Sequence, residues 1–154
     1  MYTAVIVLHS WLRWAVIILG LIAVFQAIAG RSSQRAWASS DAQAGRLYTI
    51  ALDVQVLLGL LLYLFLSPIV SMARMNMSVS MGNSATRFWL VEHLVAMVVA
   101  VALAHIGTIR VRKARTDRAR FGRAAMFYGL SLVAVIIGSP WPGLPYARAL
   151  LRLW

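Results

Sequence analysis

The chain has 154 residues, 62% of them apolar and 12% charged, with a net charge of +11 and no cysteine. A soluble domain carries about 25% charged residues, so this composition points to a bilayer rather than to water. The missing cysteine excludes disulfides, thiolate metal sites, iron–sulfur clusters and thioether-attached haem.

In chain order, four apolar runs cover about residues 4–29, 47–72, 88–109 and 124–141. Crossing a bilayer takes about 20 apolar residues, and unpaired backbone is not tolerated in lipid, so each run is predicted to be a helix. The fold class expected is all-α: an integral membrane four-helix bundle forming a single transmembrane domain over residues 1–154. The first run has no positive charge before it and exceeds a signal-peptide core of about 7–15 residues. It is followed by Arg31 and Arg35, with Arg46 and one acidic residue, Asp41, before the second run. The second connection holds Arg74 and Arg87. The third is a block from Arg110 to Arg123 that carries seven of the fifteen Lys and Arg against Asp117.

This asymmetry predicts the first and third connections inside and both termini outside. Beside an apolar helix, the Arg110 to Arg123 block reads as a topology signal and a contact for anionic lipids, not for nucleic acid. Trp11, Trp14, Trp89 and Trp141 fall near outer helix ends, as interfacial aromatics do. Pro140, Pro142 and Pro145 stop the fourth helix. Residues 147–154 set Arg148 and Arg152 four apart among leucines, which predicts a short interfacial helix.

Polar residues inside the spans are costly, by about 2.5 kcal/mol or more for a charge at mid-bilayer, so they mark candidate sites. His9 and His93 each lie about five residues in from an outer helix end, roughly 7–9 Å deep at 1.5 Å per residue. Equal depth on two helices suits two axial ligands of a b-type haem. Arg13, on the face of His9, would meet a propionate or Glu92. On the third helix, His93, Met97, Ala100 and Ala104 form a stripe with room for a macrocycle. Interhelical hydrogen bonding without a cofactor is the competing use of such histidines.

Asp53 and His105 are a second depth-matched pair, toward the inner side. They read either as a proton or quinone site or as a buried polar clamp. Met72, Met75, Met77 and Met81 crowd the second connection, and thioethers favour Cu(I), so copper capture at the outer face is an alternative to haem. Padding of an interfacial loop is the plainer use of these methionines. The sequence has no phosphate-binding glycine loop, nucleophile elbow or HExxH motif.

The stretches HSWLRW (9–14), DVQVLLGLLLY (53–63), RFWLVEH (87–93), LAHIG (103–107) and SPWP (139–142) together resemble a family of small four-helix bacterial membrane proteins. Its members are often labelled only as hypothetical or cytochrome b-like. The resemblance spans nearly the whole chain. It implies a multi-pass protein of the bacterial inner membrane, so the outward termini expected from the charge asymmetry lie on the periplasmic side. It marks His9, Arg13, Asp53, Gln55, Glu92, His93 and His105 as motif positions, and the methionine-rich connection is not part of its pattern. The function expected is electron transfer by a haem b protein, as a subunit or partner of a larger respiratory or photosynthetic complex rather than an independent enzyme. Copper binding and transport is the second expectation. A cofactor-free accessory subunit, packed against other membrane subunits or its own copies, is the third.

Overall fold

A computed structural model describes residues 1–149 and 151. Among them the protein is all-helical, with no strand. Four helices are long and apolar enough to cross a membrane: α1 (Tyr2–Ser32), α2 (Ser39–Leu66), α5 (Ser84–Arg112) and α6 (Asp117–Ile137). Two short helices, α3 (Pro68–Met75) and α4 (Met77–Gly82), lie between α2 and α5.

Each long helix buries one stripe at helical spacing. In α1 it runs Arg13, Val16, Ile17, Gly20, Ala23, Ala27 and Gly30. In α5 it includes Met97, Ala100, Ala104, Gly107 and Val111. Phe25, Leu57, Val98 and Ile137 stay exposed on the outer faces, as a bundle solvated by lipid requires. Packing runs α1 on α2, α2 on α5, α5 on α6 and α6 back on α1, an antiparallel ring of four. Close approach is made by glycine. A Cβ on Gly45 would stand 2.6 Å from the Tyr128 hydroxyl, and one on Gly30 would enter the Phe121 ring.

Side chains close the helix ends. Gln34 takes a left-handed φ of 53°, which turns the chain out of α1. Arg35 then grips both Asp41 oxygens at 2.6 Å, while Asp41 accepts the Ala38 N–H at the start of α2. That carboxylate holds the Arg35 guanidinium above its ordinary pKa range. Thr116 caps α6 by accepting the Ala119 N–H.

Several expected boundaries are corrected. The second span ends at Leu66 rather than at residue 72, because Ser67 caps and Pro68 opens a new helix there. The residues beyond it, with the rest of the second connection, form α3 and α4, capped by Ser67 and Asn76. The fourth span ends at Ile137, before Gly138 and Pro140, rather than at 141. Residues 147–149 are not helical, and Leu150 and 152–154 of the expected interfacial helix, with Arg152, lie outside the described residues.

Candidate functional site

Two turns of the long helices depart from α geometry. Leu62–Leu66 in α2 and Phe88–Glu92 in α5 are π-helical. Such turns insert one residue, rotate the rest of the helix beyond them, and occur often at functional sites. Tyr63 ties them together: its hydroxyl donates to the Leu90 carbonyl at 2.9 Å, and its own carbonyl accepts from Arg74 at 2.7 Å. His93 comes directly after the second π turn and packs against Phe88 and Trp89, with ring centres 5.8 and 5.6 Å away.

His9 of α1 faces His93 across the bundle. Their ring centres are 6.3 Å apart, with planes at 73°. Each ring is anchored on one side. His93 Nδ1 donates to the Gly138 carbonyl at 2.7 Å, which leaves Nε2 as the available nitrogen. That carbonyl belongs to the end of α6, where helix bonding runs out. The Ser139 hydroxyl and the Trp141 indole cover two neighbouring carbonyls, Val135 and Ile136, at 2.7 Å each. The SPWP stretch is therefore the seal on the helix that orients His93.

Gln55 of α2 orients His9. Its amide nitrogen lies 3.1 Å from the His9 carbonyl and 3.3 Å from His9 Nε2. Gly59, one turn on, makes room for the ring, since a Cβ there would stand 3.1 Å from His9 Cε1. His9 Nδ1 and Gln55 Oε1 are both buried and have no hydrogen-bond partner among the described residues. Unsatisfied polar atoms of this kind are rare in folded proteins.

These groups line a cavity of about 310 Å³, which also takes in Arg13, Met97 and Arg148. Ligand pockets run from about 300 to 1,000 Å³, so this one is at the small end. Its walls are mainly apolar, including Val16, Leu52 and Val135. Arg13 is buried, with its guanidinium 5.6 Å from the Trp14 ring. The chain after α6 roofs the cavity: Tyr146 stacks on Phe88 at 3.6 Å, and Arg148 lies over Trp89 at 5.3 Å.

The other expected site residues lie elsewhere. Glu92 pairs with Arg87 at 2.6 Å, is partly exposed, and is not among the residues lining the cavity. Asp53 and His105 are brought together, Nε2 to Oδ1 at 2.8 Å, with side chains 37% and 53% exposed. That exposure corrects the buried-clamp expectation. Met72 and Met75 on α3, and Met77 and Met81 on α4, are all exposed. No cluster of three or more His, Asp or Glu suited to a metal ion occurs among the described residues.

Residue reading by itself missed Gln55, which only the resemblance marked, and also Gly59, Tyr63 and Gly138. Gln55 had a signal: it continues the buried stripe of Tyr48 and Leu52, where an amide needs a partner. No protein-family model, curated protein or solved structure matches the chain.

Proposed function

We propose that this is a haem b protein of a bacterial inner membrane, in which His9 and His93 would hold the haem near the periplasmic side, passing electrons within a larger membrane assembly. The observation that carries the reading is the facing pair of imidazoles. Two metal–imidazole bonds of about 2 Å put ligating rings roughly 6 Å apart between centres, and these are 6.3 Å apart. Rotation about each metal–nitrogen bond leaves the angle between the planes free. His93 has its Nδ1 engaged and its tautomer fixed, the usual condition of a ligating histidine. Gln55 lies against His9 Nε2, which leaves His9 Nδ1, buried and without a hydrogen-bond partner among the described residues, as the nitrogen a metal would take. Arg13 and Arg148 supply positive charge for carboxylates at the cavity wall.

The bound haem would supply one-electron chemistry. The chain fixes two ring orientations, excludes water with an apolar wall, and balances negative charge with two arginines. A macrocycle is larger than this cavity, so residues 140–149, which roof it, would have to move to admit one. Orientation is set by the basic connections, which place the Arg110 to Arg123 block inside, against anionic lipid.

The test is the spectrum of protein purified from its native membrane. Reduced protein is expected to show sharp low-spin b-type bands. His9→Ala and His93→Ala should each abolish them, and His105→Ala should keep them. A wild type without haem, or loss only in His105→Ala, sinks the reading. Copper is favoured as a second reading by one observation: Met97 lines the same cavity as both histidines, giving a soft two-nitrogen, one-sulfur set suited to Cu(I). Copper content with no haem bands, lost in Met97→Leu, would select it.

A further inference from the structure

The Asp53–His105 pair sits on the outside of the bundle, not in it. Asp53 is seven residues beyond Arg46, and His105 is five before Arg110, so both lie about 7–10 Å from the basic end. Ile50 and Leu57 share the face of Asp53, and Ile109 that of His105, and all three are exposed. A carboxylate and an imidazole are thus presented on an apolar, lipid-facing surface. Groups of this kind within a span usually face the bundle interior and mark function.

The chemistry left open is specific. With the imidazole neutral, His105 Nε2–H donates to Asp53 Oδ1 at 2.8 Å. The other ring nitrogen, Nδ1, then carries a lone pair. No hydrogen bond involves that nitrogen among the described residues. Toward the core, hydroxyls occupy one another: Thr49 and Thr108 are 3.4 Å apart, and Thr108 and Tyr128 3.2 Å. The open acceptor is left to the lipid side.

We propose that Asp53 and His105 form a docking site for a membrane-dissolved ligand of the quinol class. One ring hydroxyl donates to His105 Nδ1, the ring lies at the edge of the hydrocarbon, and the apolar tail runs along Ile50, Leu57 and Ile109. A second copy of the chain fits less well. A two-fold contact centred here brings the same carboxylate from each copy together. The pair leaves two acceptors, His105 Nδ1 and Asp53 Oδ2, without a hydrogen-bond donor among the described residues, which ligand hydroxyls can supply. The site rests on the membrane placement of α2 and α5 and needs no haem, so it stands or falls separately from the His9–His93 assignment.

The experiment uses the full chain in phosphatidylcholine nanodiscs under reducing, oxygen-free conditions. The probe is a short-chain benzoquinol, with retention measured against empty discs. Wild type is expected to retain it, and His105→Gln and Asp53→Leu to bind at least tenfold more weakly, with unchanged elution and helicity. The dimethyl ether of the same quinol, which has no hydroxyl to donate, should bind wild type at least tenfold more weakly. This arm involves no variant and so is immune to misfolding. Equal binding of quinol and ether, or undiminished binding in both variants, overturns the proposal. So does a wild type that retains no quinol, including one that forms a dimer dissociated by these substitutions, which would make the face a self-interface.

Discussion

The middle of the bundle and its histidine end are built from the same four helices, yet they treat polar atoms in opposite ways. At the middle, the Tyr48 and Ser131 hydroxyls meet at 2.7 Å, and Ser131 donates to the Ala100 carbonyl, also at 2.7 Å. Ser131 is 0% exposed, and Tyr48 and Tyr128 meet edge to face. Every hydroxyl there has a partner, and Gly45 lets the rings close without a void. At the histidine end, two buried polar atoms have none and a cavity remains. Polar groups that satisfy one another hold helices together, and polar groups left unsatisfied in an apolar wall mark where something else binds.

The largest effect that would break this contrast is expected at Gly45. Gly45→Val drives a branched side chain into Tyr128 and should cost about 3 kcal/mol, read as earlier unfolding in an SDS titration. An unchanged midpoint would mean the middle is looser than its packing implies. Ser131→Ala comes next, at about 1–3 kcal/mol, because Tyr48 loses its partner in a sealed space.

Gln55→Leu sharpens the comparison from the other side. The lost contacts of the amide nitrogen with His9 are offset by removal of an already unsatisfied Oε1, so stability should change by only about 1 kcal/mol. Retention of the proposed haem should nevertheless fall at least tenfold, within the range seen when a residue behind a metal ligand is lost. A large loss of stability with the cofactor retained would place Gln55 with the structural residues instead. Asp53→Asn is expected to be the smallest change, about 0–1 kcal/mol, since the asparagine Oδ1 can still accept from His105 Nε2–H.

How much of the site was legible can be judged residue by residue. Both depth-matched pairs, His9 with His93 and Asp53 with His105, meet in space. The facing of the two α5 histidines was legible as well. His93 and His105 are twelve residues apart on one helix, which turns them about 120° from each other, so one points into the bundle and the other out. The sequence reading left the second pair open, as a proton or quinone site or as a buried clamp. It also placed Glu92 beside His93 as a partner for Arg13, whereas the π turn ends at Glu92 and the carboxylate pairs with Arg87 on the surface.

The division has a geometric cause. Distance along a membrane helix is linear in residue number, at about 1.5 Å each, so hydropathy and position alone determined four spans and the depth of every polar group. Rotation about the helix axis is not linear once a π turn inserts a residue, because each insertion swings the side chains beyond it by about 100°. The tertiary structure decided that rotation, along with the order of helices in the ring. It thereby decided that Gln55, Gly59 and Gly138, silent in a reading by charge and ligand type, are the residues that hold the two histidines face to face.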